Sequence, residues 1–116
     1  MRYEKTVNRV TLVGSIAADV QAVRGAGGEL AAHASLATKR PNPLPYGGPT
    51  LTDWHRVEFR GELVERAETL RRGYRVYVEG SIRYGSYDRG DGQTFPVTDI
   101  YADELVILDR TPEVSP

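Results

Sequence analysis

"LTDWHRVEFRGELVERAETLRRGYRVYVEGSIRYGSY" (residues 51–87) decides how this chain folds. Neighbouring side chains of an extended strand point to opposite faces. His55, Val57 and Phe59 therefore share one side of the opening segment, and Trp54, Arg56, Glu58 and Arg60 share the other. The period then changes. Across "GELVERAETLRRG" (61–73), Leu63, Ala67 and Leu70 recur at helical spacing, with Glu62 and Glu65 in the first turn, Arg71 and Arg72 in the last, and Gly73 as the stop. Alternation returns in "YRVYVEGSIRYGSY" (74–87): Val76, Val78, Ile82 and Tyr84 form an apolar side, while Tyr77, Glu79, Ser81, Arg83 and Tyr87 form the other, with Gly80 and Gly85 as bend points.

Working outward, "NRVTLVGSI" (8–16) reads as a strand with Val10, Leu12 and Ile16 on one face. "RGAGGE" (24–29) is a glycine-rich turn, and "LAAHASLAT" (30–38) a second strand with Leu30, Ala32, Ala34 and Leu36 inward. "KRPNPLPYGGPT" (39–50) holds four of the seven prolines, which withhold ladder donors, so it reads as a long loop of the kind that often carries function. "DRGDGQ" (88–93) is a hairpin turn before a fifth strand, "TFPVTDIYADELVIL" (94–108). The chain divides into one domain, 1–108, and a short disordered tail, 109–116. Five strands with one α-helix between the third and fourth predict an all-β chain with a five-stranded Greek-key barrel, the OB-fold. An SH3-like barrel has no place for a helix there.

Composition removes several function classes. The chain has no cysteine, hence no disulfide scaffold, thiol chemistry or cysteine-held zinc, and its two histidines leave little for a catalytic triad or a histidine metal site. "MRYEKTVNRV" is charged where a signal peptide needs an apolar run, and no stretch approaches the roughly 18 apolar residues of a membrane span. The expected location is cytoplasmic, with no membrane partner. Net charge is −1, yet residues 99–116 hold five carboxylates against one arginine, which leaves 1–98 with 14 basic and 11 acidic side chains. Thirteen of the fifteen basic residues are arginine, whose planar fork pairs with phosphate and stacks on rings.

Alternation places aromatic and arginine side chains together on the side away from the core: Trp54, Arg56 and Arg60 on the third strand, Tyr77, Arg83 and Tyr87 on the fourth. Lys39, Arg40 and Tyr46 of the proline-rich loop extend the set. Rings interleaved with cations suit a single nucleic-acid strand, whose bases stack while its phosphates release counterions. Alternation alone leaves two other readings open. One bulge would turn Trp54 inward, and tyrosines on an outer face also serve subunit contacts.

"NRVTLVGSI", "LATKR", "DWHRVEFRGELVERAETLRRGYRVYVEGSIRYGSY" and "ADELVIL", in that order, resemble the bacterial and organellar single-stranded DNA-binding protein family over roughly residues 6–108. The resemblance implies an OB-fold without catalysis or cofactor. It also implies a homotetramer, built as a dimer of dimers, that coats single-stranded DNA in replication, recombination and repair, associated with the nucleoid. Carried over by position, the family's indole stacker falls on Trp54 and a second stacker on Tyr87. A third falls on Arg60 and a fourth near Asn42, where Tyr46 is the nearby ring. Two aromatics are thus replaced, which predicts binding more salt-sensitive than in tryptophan-rich members. Members usually carry an acidic tip that recruits enzymes; this sequence ends "TPEVSP", so recruitment through such a tip is not expected.

Three other readings compete. A replication-restart OB protein resembles the same family but lacks the tryptophan of the "WHR" motif. A protein-interaction OB module would turn the exposed rings to a polypeptide. A nuclease needs clustered carboxylates and a metal, and Asp88, Asp91 and Asp99 are spaced as turn and strand-end residues instead. His55 reads as a satisfied inward histidine or a subunit-contact residue, His33 has no assigned role, and the first strand is the expected place for two chains to pair.

Overall fold

The computed structural model describes residues 5–44 and 46–110. Six strands and one helix follow in the order β1 (Val10–Ile16), β2 (Ala22–Arg24), β3 (Leu30–Pro41), β4 (Thr50–Arg60), α1 (Leu63–Ala67), β5 (Arg75–Asp88) and β6 (Thr94–Asp109). The sheet runs β1-β5-β6-β4-β3-β2, and a further β1–β3 pairing through Ser15↔Ala37 and Ile16↔Leu36 closes five of the strands into a barrel. All pairings are antiparallel except β4 with β6. This is the five-stranded Greek-key barrel that the strand order predicts.

Inward alternation fills the interior. Ile16, Ala32, Leu36, Val57, Phe59, Val76, Val78, Ile100 and Leu105 are buried, and Val64, Ala67 and Leu70 close one end of the barrel from α1 and the turn after it. β4 pairs with β3 without a break from Ala31↔Arg60 to Pro41↔Thr50. No bulge therefore inverts Trp54, and the outward reading of that strand holds.

Several boundaries differ from expectation. The helix has five residues rather than thirteen. After Ala67 the chain tightens into turns, with Thr69 N–H bonding Arg66 O at 3.1 Å and Leu70 N–H bonding Ala67 O at 3.0 Å, while the Thr69 hydroxyl donates to the same Arg66 carbonyl. Val64 rather than Leu63 takes the deep position. Gly73, at φ 90°, turns the chain into β5 with its N–H on Ile16 O. The proline-rich loop shortens to 42–49 because β3 runs on to Pro41, where only β4 is paired beside it and the missing donor disrupts no ladder. A three-residue strand, β2, pairs with the start of β3 across the glycine turn. Leu30 is exposed rather than inward.

Tyr84, expected on the apolar side, is 80% exposed. β5 meets β1 only as far as Gly80, and β6 meets β4 only at Asp99–Tyr101. Beyond those points β5 and β6 continue as a two-stranded ribbon with no interior for Tyr84 to enter. β6 runs through Asp109, into the segment expected as tail; residues 111–116 lie outside the described residues.

Of the two expected bend points, Gly80 is a true irregularity. The β5–β6 register shifts between Glu79 and Gly80, and a Cβ there would stand 2.0 Å from the Tyr101 carbonyl oxygen. Gly85 sits in regular pairing with Val97, and a Cβ would meet only that side chain at 3.6 Å. In urea unfolding, Gly80→Ala is expected to cost about 1–3 kcal/mol, since backbone rather than a flexible side chain must yield. Gly85→Ala is expected to change stability by less than about 0.5 kcal/mol.

Candidate nucleic-acid interface

The parallel seam of β4 and β6 places alternate residues of both strands on the outside. Arg56↔Asp99 and Glu58↔Tyr101 face outward, while Val57↔Ile100 faces the core. Trp54, two residues before Arg56, is 62% exposed, and its partner across β3 is the small Ala37, which leaves the indole uncovered. Trp54 and Arg56 line a depression of about 370 Å³ with His33 and Ser35. The other side of Trp54 opens on a groove of about 520 Å³ that also contains Lys39, Thr52, Arg72 and Arg75.

Farther along the seam the outer face becomes a packed polar cluster. Glu58 is only 8% exposed, and a buried carboxylate requires partners. It has two: His33 Nε2 at 2.7 Å from Oε1, and Arg60 Nε on Oε2. His33, without a role in the sequence, therefore pairs with a buried acid. Arg60 also donates from Nη2 to the Tyr101 hydroxyl at 2.9 Å, and its Cζ lies 4.3 Å from the centroid of the Tyr101 ring. Arg83 approaches the same ring, at 5.0 Å. At the ribbon, Tyr87 and Phe95 stack across the hairpin with centroids 5.7 Å apart and planes 28° apart, and Arg89 lies over Phe95 at 4.4 Å.

Most of the expected cations are already matched. Arg40 pairs with Asp53 at 2.9 Å, Arg56 with Asp99 at 3.0 Å, and Arg60 with Glu58. The Arg56–Asp99 contact is an ion pair without hydrogen-bond geometry, and among the described residues no donor is aimed at the buried Oδ1 of Asp99. Lys39, Arg83 and Arg89 have no carboxylate at ion-pair distance among the described residues.

Of the residues singled out from sequence, the fold brings Trp54, Arg56, Arg60, Arg83 and Tyr87 onto one outward band running from β4 over β6 to the ribbon. Lys39 joins at the groove beside Trp54. Arg40 is held near the loop by Asp53, and Tyr46 stands exposed in the loop itself. Tyr77 does not join the band. Its register partners are Val13 of β1 and Val106 of β6, both exposed and apolar. His55 is half-buried, with Nε2 at 2.8 Å from the Thr38 hydroxyl.

Four residues escape the sequence reading. Tyr101 and Phe95 share a face of the fifth strand with Asp99, a pattern that the alternation used on β4 and β5 would have found on β6. Arg72 and Arg75 flank the Gly73 turn, and reading 61–73 as one helix hides that they open onto the Trp54 groove.

The single-strand binding protein family matches residues 7–108. The single-stranded DNA-binding protein of Xylella fastidiosa is 42% identical over 104 residues, covering 88% of this chain and 63% of that protein. That of Xanthomonas campestris is 40% identical over 104 residues, covering 88% and 60%. The mitochondrial single-stranded DNA-binding protein of Drosophila melanogaster is 36% identical over 110 residues, covering 92% and 75%. This chain thus spans less than two thirds of the length of the two bacterial relatives. Among solved structures, a Plasmodium falciparum SSB complex with ssDNA aligns at TM-score 0.79 and 29% identity, covering 93% of this chain and 100% of that one. The match runs through all six strands and the whole outward band, and the chain belongs to the single-strand binding protein family.

Proposed function

We propose that this protein binds single-stranded DNA without sequence preference and, without catalysis, coats it during replication, recombination and repair in association with the nucleoid. The observation that carries the reading is the lone indole, uncovered on a strand whose inward neighbours are sealed in the core, at one end of a band of rings and guanidinium groups. Each unpaired base offers a π-face to such a band, whereas a duplex keeps its bases stacked internally. Trp54 and Tyr87 act as platforms. Arg56, Arg83, Lys39 and the newly placed Arg72 and Arg75 hold the backbone, and Tyr46 and Arg40 lie at the loop end of the path.

The pairing of arginines with carboxylates changes the expected salt response. A phosphate arriving at Arg56 or Arg40 competes with an acid already in place, so only part of the basic set contributes to counterion release. A pronounced excess of salt sensitivity over tryptophan-rich members therefore does not follow from the arginine count alone. The slope of log K against log salt remains negative, at about −0.7 for each phosphate neutralised.

The same reading includes a homotetramer. The outer edge of β1 meets β3 only at Ser15 and Ile16, which leaves Val10–Gly14 as an edge for a second chain among the described strands. Val13, Val106 and Leu108 around Tyr77 form an exposed apolar set. A β1 contact and a Tyr77 contact make a dimer of dimers, which moves Tyr77 from the DNA path to a subunit interface.

Two measurements test these points. Tryptophan emission should fall strongly on adding poly-dT, recover with salt and ignore duplex competitor, and Trp54→Ala should cost about 1–3 kcal/mol of binding without loss of folding stability. An unquenched indole contradicts the reading. Light scattering at micromolar concentration should give four times the 12.9 kDa chain mass, and a monomeric mass contradicts the assembly.

A further inference from the structure

We propose that Asp99 is a carboxylate shared by Arg56 and Arg83, so that one of these two arginines at a time is free for a phosphate of the bound strand. The inference rests on the single-stranded DNA reading and extends it to Asp99, which has no assigned part in binding. Asp99 is a positioning residue: it acts through the two guanidinium groups and does not meet the strand.

Asp99 lies where two strand pairings meet. Its parallel partner is Arg56 of β4, and its antiparallel partner is Arg83 of β5. Residues directly opposite on neighbouring strands share a face and stand about 5 Å apart, so both guanidinium groups are within reach of the carboxylate from the outer side. Arg56 takes it, with Nε 3.0 Å from Oδ1. Arg83 is exposed and rests over the Tyr101 ring at 5.0 Å, with Nε 3.4 Å from the Ser81 hydroxyl. Among the described residues it has no carboxylate at ion-pair distance.

Neither arginine is bound tightly where it lies. The Asp99 side chain is 17% exposed and its Oδ1 is buried, yet the Arg56 contact lacks hydrogen-bond geometry and leaves that oxygen without a donor among the described residues. With the Arg56 side chain 59% exposed, such a pair is weak enough to open when a phosphate competes. A mostly buried carboxylate stripped of its cation is costly, so a phosphate that draws Arg56 away brings Arg83 onto Asp99. The move is a rotamer change of an exposed side chain, which takes picoseconds to nanoseconds. The reverse exchange returns Arg56 and frees Arg83. Phosphates thus pass between two positions along the band while the carboxylate stays matched throughout.

The test measures binding of a dT oligonucleotide from about 50 to about 200 mM salt, a range over which each phosphate contact loses roughly threefold in affinity. Asp99→Asn should release the second arginine, tightening binding at the lower salt and making the loss across the range about threefold larger. The same gain should appear in an Arg56→Gln background and in an Arg83→Gln background, because whichever arginine remains is the one that Asp99 holds. It should vanish when both arginines are replaced. A gain confined to backgrounds that keep Arg56 overturns the sharing, since Asp99 then serves Arg56 alone. An equal gain in all four backgrounds, or none in any, overturns it too. Asp99→Ser, which also removes the charge, repeats the comparison if the amide disturbs strand pairing. Wild type failing to bind dT would instead defeat the underlying function.

Discussion

Three residue pairs hold β4 against β6, and they are the one parallel contact among the described residues. The central pair, Val57↔Ile100, is buried; the flanking pairs, Arg56↔Asp99 and Glu58↔Tyr101, look outward. Closing the core and assembling the outer band are therefore a single event. If β4 slipped by one residue against β6, Val57 would face water and the Arg56–Asp99 and Arg60–Tyr101 contacts would be lost together, because strand side chains have a period of two. Hydrophobic burial of the central pair fixes the register, and the register positions the arginines. The band inherits its precision from the core.

The outward band of this chain of net charge −1 carries acids as well as arginines. Acidic residues are interleaved with the arginines instead of being kept away from them. Asp53, Glu58 and Asp99 each hold one guanidinium in place. With their guanidinium sides more than half exposed, these pairs add little to stability. Their effect here is geometric: they restrict long side chains to a few orientations along the band while leaving the indole and the ribbon aromatics open. Lys39, Arg72, Arg75, Arg83 and Arg89, outside these pairs, supply the less committed positive charge.

How much of this could be read from the residues varies by strand. Trp54 was legible because β4 pairs with β3 in unbroken register, so alternation keeps its meaning along the whole segment. Tyr84 was not, since the ribbon leaves the barrel and an apolar side no longer has an interior behind it. Tyr77 shows a different limit. Alternation correctly turned it outward, but a closed barrel has a continuous outer surface, and only the pairing of β5 between β1 and β6 reveals which part of it Tyr77 occupies. The helix was legible in place and not in length, because Thr69 and the turns after Ala67 replace bonds that a longer helix would have made. Partners such as His33 for Glu58 lie 25 residues apart and depend on strand register, which local pattern does not contain.

The central claim is positional: unpaired bases lie along the outside of the β4–β6 seam, starting at the indole. Photo-crosslinking of an iodouracil-substituted single strand, followed by mass-spectrometric mapping of the linked residues, addresses it most directly. The account predicts adducts on Trp54, with further adducts on the Tyr87–Phe95 pair, and none on Tyr77. Adducts concentrated on Tyr77 and the β1 face, with Trp54 unmodified, would contradict it.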